Sequence, residues 1–153
     1  MSDGPPVPLA RLLGMAFRLL IDDLHAALAE QGWDDVRESY GFVLLAVRDQ
    51  ELSTTELASL LGVTKQAASK TLDAMEEGGY IARRDSDRDG RMKIVSLDTR
   101  GVDLLRAVEA IYADLEAGWA GTIGETALHQ TRTRLERVLR ERHDGDLPRL
   151  RPA

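Results

Sequence analysis

The chain has 153 residues, 43% of them hydrophobic and 30% charged, enough for one core of ordinary domain size and too little for a second large domain. It has no cysteine, which excludes a disulfide framework, a thiolate metal site and a cysteine redox switch. Its formal charge of −6 opposes indiscriminate attraction to phosphate, and its longest apolar stretches, residues 14–21 and 41–47, fall far short of a membrane span. No signal-peptide pattern opens the sequence, so a cytoplasmic location is expected.

Residues 9–31 set Leu9, Leu13, Ala16, Leu20, Leu24, Ala27 and Leu28 on one side of a helix of about six turns, with Gly14 a mild interruption. Residues 34–49, with Tyr40, Val43, Leu44 and Val47, predict a shorter helix leading into Ser53. Ser53 and Glu56 have the spacing of a capping box, in which each side chain accepts from the other residue's amide. Leu57, Ala58, Leu60 and Leu61 follow as an apolar face, and Gly62 stands where a left-handed residue ends a helix. Thr64 is the next N-cap, and residues 65–76 lack proline and glycine, so a second helix follows a tight turn. At 100° per residue Ala68, Leu72 and Met75 share one sector and should face the core. Gln66 and Lys70 project oppositely, Ser69 lies on the flank, and Lys65 sits at the N-terminal end, where the dipole also favours phosphate.

Gly78 and Gly79 close that helix. Residues 80–82 and 94–97 are β-prone runs around a polar stretch, predicting a hairpin with its tip at Asp89 and Gly90. Within it Arg83, Arg84, Arg88, Arg91 and Lys93 alternate with Asp85, Asp87 and Asp89, whose carboxylates can hold the cations in place. Residues 102–119 and 125–142 read as two further amphipathic helices, and residues 144–153, with Pro148 and Pro152, as an irregular tail.

Two short helices across a tight turn, followed by a charged hairpin, form a winged helix-turn-helix. The expected fold is therefore mainly α with a small β-hairpin wing, plus dimerisation helices from both termini. Residues 34–100 would make the DNA-binding domain, and residues 1–33 and 101–143 the dimerisation helices. Several motifs carry a further resemblance: Leu57-Ala58, Leu61-Gly62-Val63-Thr64, the spaced Leu72 and Glu76, Gly79-Tyr80-Ile81-Ala82-Arg83, Asp89-Gly90-Arg91, and Val95-Ser96-Leu97 ending at Gly101. In these the chain resembles the MarR family of bacterial transcription regulators. The match is strongest over about a third of the chain, and the flanking helices keep the family's order. The resemblance implies that the helix after Thr64 reads DNA, that the hairpin is the wing, and that Asp89 braces Arg91 there. Two positions depart from the family pattern: Ser86 stands where a proline is often found inside the wing, and Asp98 replaces the usual threonine after the last strand.

Between residues 62 and 100 eight bases face seven acids, so the acidity resides in the rest of the chain. A nearly neutral reading head binds arbitrary DNA weakly and must draw affinity from specific contacts. The candidate DNA-binding residues are Ser53, Thr54, Lys65, Gln66, Ser69, Lys70, Arg83, Arg84, Arg88 and Arg91. One head covers one half-site of double-stranded DNA, so a pseudo-palindromic operator calls for a homodimer built on the long terminal helices; folding of those helices onto a monomer is the alternative. The resemblance places an effector pocket between these helices and the head, where His25, Trp33, Tyr40 and Tyr112 suit a small aromatic ligand, or are simply core and interface residues. No catalytic triad order, phosphate loop or carboxylate pair can be assigned, His25 near Asp22 and Asp23 lacks the geometry of a strong chelate, and neither an enzyme, a cofactor nor a metal is expected. The expected function is a ligand-released, sequence-specific repressor; the alternative is a helical interaction module that docks protein on the winged fold.

Overall fold

The computed structural model describes residues 4–88 and 90–152. Six helices and three short strands run in the order α1 (Leu9–Glu30), α2 (Glu38–Val47), β1 (Leu52–Ser53), α3 (Thr54–Leu61), α4 (Lys65–Glu77), β2 (Ile81–Asp85), β3 (Lys93–Leu97), α5 (Thr99–Ile123) and α6 (Glu125–Glu141).

The helix boundaries follow the local signals. The capping box at the head of α3 is formed, with the Glu56 amide donating to Ser53 Oγ at 3.1 Å and the Ser53 amide to Glu56 Oε2 at 3.3 Å. Gly62 ends α3 at φ 70°, and the Val63 amide reaches back to the Ala58 carbonyl at 3.0 Å, a Schellman closure that needs a left-handed residue. Thr64 Oγ1 caps α4 by accepting from the Ala67 amide at 3.0 Å. Ala68, Leu72 and Met75 are buried beneath it as their spacing requires.

The hairpin pairs Arg83 with Val95 and Asp85 with Lys93 in an antiparallel register. A third strand was not expected: Leu52 and Ser53 pair with Val95 and Ile94, giving a sheet of order β1-β3-β2. Two residues carry no readable alternation, so only the packing of α3 against the hairpin could reveal β1.

One continuous core joins Leu24 and Leu28 of α1, Phe42 and Leu44 of α2, Leu57, Leu72 and Met75 of the helix pair, Ile81 and Val95 of the sheet, and Leu104 and Ile111 of α5. The expected separation at residues 33/34 and 100/101 is thus not a packing boundary, because the first turns of α5 are integral to the winged core. Asp98 caps α5 by accepting from the Thr99 amide at 2.7 Å. Gly101 sits so close beneath the Tyr80 carbonyl that an added Cβ would stand 2.1 Å from its oxygen.

The terminal helices are different. Only Ile21, Leu24 and Leu28 of α1 are buried, and Leu9 and Leu13, on the apolar side of the helix expected to pair with a second copy, are 65% and 42% exposed. No residue of α6 is buried. The tail is irregular as expected, yet it returns along the winged domain: Leu147 and Leu150 lie in a groove beside Phe42, Leu45 and Ala46, and Pro152 lies beside Ser39, Ala67 and Thr71.

Candidate nucleic-acid interface

An open cleft of about 200 Å³ separates the N-terminal part of α4 from the wing, and Thr54, Thr55, Lys65, Ser69, Arg91 and Lys93 line it. Helix α4 supplies Lys65 and Ser69 from the flank beside its core face, which Ala68, Leu72 and Met75 fix. Gln66 and Lys70 stand on its outward face, opposite the core, and are exposed. The N-terminus of α4 opens here as well, adding the partial positive charge of its amides to that of Lys65.

The structure brings some expected residues together and removes others. Ser53 borders the cleft but is only 1% exposed, and its hydroxyl and amide are both engaged in the capping box. Its side chain holds the start of α3. Thr54, half-buried, and Thr55, exposed, line the cleft beside it.

The wing arginines divide by strand alternation. Arg83 turns toward α4, where its guanidinium donates to Asp73 Oδ1 at 2.6 Å and Glu76 Oε1 at 3.0 Å. That pairing holds Arg83 charged, while the hydrogen bond from Arg83 draws the Glu76 carboxyl below the usual range despite burial. Arg83 therefore fastens the wing to α4, at the inner wall of the cleft. Arg84 points to the other face of the sheet and pairs with Glu51. Lys93 pairs with Asp85 across the hairpin at 2.5 Å. Arg88 is exposed near the tip, where its amide donates to Ser86 Oγ at 3.2 Å. Arg91 is exposed at the cleft, and Asp89, its expected brace, lies outside the described residues.

The four residues expected to form one effector pocket fall in two places. His25 and Tyr112 line an apolar cavity of about 100 Å³ between α1, α2 and α5, closed on one side by Leu150 of the tail. Burial, with Glu109 nearby, raises the Tyr112 phenol above its ordinary value. Trp33 and Tyr40 instead pack on Tyr80, with ring centroids 6.3 and 5.4 Å away. The Arg100 guanidinium stacks over Tyr80 at 4.5 Å, and the Tyr80 hydroxyl donates to Asp35 Oδ1 at 2.7 Å. Arg100 also donates to Asp35 Oδ2 at 3.1 Å and to the Gly78 carbonyl at 2.9 Å. This cluster clamps the α1–α2 turn to the end of α4 and the start of α5. The separation has a plain cause: Trp33 follows the end of α1 and Tyr40 faces inward from α2, whereas His25 and Tyr112 lie on helix surfaces that diverge from that point. Among the described residues no group of three or more His, Asp or Glu side chains could hold a metal ion. No helix among them is long and apolar enough to cross a membrane.

The arrangement agrees with known proteins. A sequence model of the MarR family matches residues 38–92, the span from α2 through the wing. The transcriptional repressor MprA of Escherichia coli (strain K12) is 30% identical over 92 residues, covering 58% of this chain; the chain spans only about half of that protein, 51%. The HTH-type transcriptional repressor Rv2887 of Mycobacterium tuberculosis (strain ATCC 25618 / H37Rv) is 33% identical over 119 residues, which cover 76% of this chain and 83% of that protein. In fold, the reduced form of MarR from E. coli superposes with a TM-score of 0.77 at 22% identity, over 89% of this chain and 99% of that one. The residues of the helix pair and wing, the match to the family over that span, and a relative covered along most of its length lead to one conclusion: the chain belongs to the MarR family.

Proposed function

We propose that the protein is a dimeric, sequence-specific DNA-binding transcription regulator that acts as a repressor. The observation that carries this reading is the outward face of α4, where Lys65, Gln66, Ser69 and Lys70 stand exposed or half-exposed next to the wing cleft. A helix presenting short polar and cationic side chains can lie in a major groove, with Gln66 and Lys70 aimed at base edges and Lys65 at phosphate. Thr54 and Thr55 are suited to phosphate contacts, and Arg88 and Arg91 at the wing to an electronegative minor groove. Two heads on double-stranded DNA of pseudo-palindromic sequence need two copies of the chain. The exposed apolar side chains of α1 and α6, Leu12, Leu19, Val138 and Leu139 among them, supply a surface for that pairing.

A small aromatic effector would enter the cavity of His25 and Tyr112. At about 100 Å³ it is small beside the ~300 Å³ at which ligand sites ordinarily begin, so an occupant must displace Leu150. Binding there can change DNA affinity only by favouring one spacing of the two heads over another.

DNA binding by the full chain to its own upstream region, with random DNA as competitor, tests the main reading. Gln66→Ala and Lys70→Ala should each cost about 1–3 kcal/mol on the specific site at fixed salt and relax preference at one or two base pairs, without changing thermal stability. Unaltered affinity in both variants would remove α4 from the groove. Salicylate titrated into the free protein, and then into the complex, tests the effector separately.

A further inference from the structure

The C-terminal arm is aimed by a hydrogen-bonded turn. After α6 the Gly145 amide closes on the Arg140 carbonyl at 2.9 Å, with Asp144 at φ 52° and Gly145 at φ 95°. The Arg140 guanidinium donates in turn to the Gly145 carbonyl at 3.0 Å. From there the arm runs antiparallel to α2. Asp146 and Leu147 share a groove with Ala46 and Asp49 near the C-terminal end of α2, and Leu150 lies beside Gly41 and Phe42. Pro152 lies beside Ser39 at the N-terminal end, against Ala67 and Thr71 of α4.

At 100° per residue, the side chains of α4 fall into three adjacent sectors. Lys65 and Ser69 face the wing cleft, Gln66 and Lys70 point outward, and Ala67 and Thr71 occupy the flank farthest from the wing. The wing and the arm therefore bracket the reading face from opposite sides. A helix in a major groove has a phosphate backbone along each of its flanks, and on this head the known cations serve mainly the wing side. Several of them are already engaged there: Arg83 with Asp73 and Glu76, Arg84 with Glu51, and Lys93 with Asp85. Arg151 is exposed, and the docking of Pro152 carries it to the flank that the wing does not reach.

We infer that Arg151 is a DNA-phosphate contact, held at the second flank of the recognition helix by the docked C-terminal arm. Arg149, two residues earlier, sits in the groove beside Asp49 near the far end of α2 and provides an internal control of the same charge on the same arm. The inference rests on the proposed DNA-binding function and adds a second anchoring side to it. It would add one cation from outside residues 62–100 to a head with eight bases against seven acids.

The experiment is a salt titration of binding by the full chain, on its upstream DNA and on random DNA, for the wild type, Arg151→Ala, Arg151→Glu and Arg149→Ala. One lost phosphate contact should make the slope of log K against log salt shallower by about 0.9 in Arg151→Ala, with affinity falling alike on both DNAs. Arg151→Glu should weaken binding further, and Arg149→Ala should keep the wild-type slope. Thermal midpoints should not move, because Arg151 is exposed. A wild-type slope in Arg151→Ala, an equal loss in Arg149→Ala, or tighter binding in either Arg151 variant overturns the inference while leaving the function standing. A wild-type chain that binds neither DNA overturns both.

Discussion

The winged head and the terminal helices are built on opposite terms. In the head, residues 52–97, the helix signals find their partners within a few residues: a capping box, a left-handed glycine closing α3 and a threonine cap on α4. In α6 no residue is buried, and the first half of α1 leaves Leu9, Leu12, Leu13 and Met15 exposed. Among the described residues, much of the apolar surface of those helices stays uncovered. A sequence can therefore complete one element with neighbours a few positions away and leave the apolar surface of another largely open, with the same kinds of residue in both.

The largest effect that would break this contrast is expected where the two regions meet. Gly101→Ala would press a methyl group into the Tyr80 carbonyl, and because both sides of the contact are backbone, α5 must shift off the sheet. The expected loss is about 3 kcal/mol, read by thermal or urea denaturation. A loss below about 1 kcal/mol would mean that head and helices are only loosely joined.

Next in size is the effect on assembly. Leu12→Glu combined with Leu139→Glu places charge on the exposed apolar surface of α1 and α6. Sedimentation should show a monomer whose circular dichroism retains the helices of the head. If the pair instead stays dimeric, the second copy is held elsewhere.

Within the head, Ser53→Ala removes the hydroxyl that accepts from the Glu56 amide and should cost about 1 kcal/mol. The buried position makes compensation by water difficult. DNA affinity should fall only as far as stability does, since the buried hydroxyl is engaged in the cap of α3.

The smallest effect concerns the clamp at the junction. The hydrogen bond from Tyr80, aided by Arg100, holds the Asp35 carboxyl below its ordinary value, against a lesser opposing effect of burial. A carboxyl lowered in the folded state adds stability that is present above its unfolded value and disappears as pH falls through the folded one. Asp35→Asn should therefore cost under about 1 kcal/mol at neutral pH, because the side chain is half exposed and screened, and the difference from wild type should close in strong acid. A difference that persists unchanged there would assign the loss to packing. Tyr80 moves in the opposite sense, its hydroxyl raised by burial first and by Asp35 second, so it stays protonated throughout.

The sequence by itself determined the winged helix-turn-helix. Its capping residues, glycine stops and 3.6-residue periodicity act over at most a few positions, and such signals remain readable without any tertiary context. It also supplied the outward pair of Gln66 and Lys70, with Ser69 on the flank, because burying Ala68, Leu72 and Met75 leaves no other orientation for α4. Only the tertiary structure decided the rest. Strand β1 exists because α3 delivers Leu52 and Ser53 to the edge of β3. Arg83 became a fastening and not a free cation because strand alternation turned it toward Asp73 and Glu76 on α4. Trp33 and Tyr40 parted from His25 and Tyr112 because a helix end and a helix face diverge in space, although both pairs looked equally aromatic in sequence. The irregular tail became a docked arm only because α6 ends in a turn that points it along α2. Each of these depends on contacts between residues far apart in the chain, and no local pattern encodes the distance between two elements before they pack.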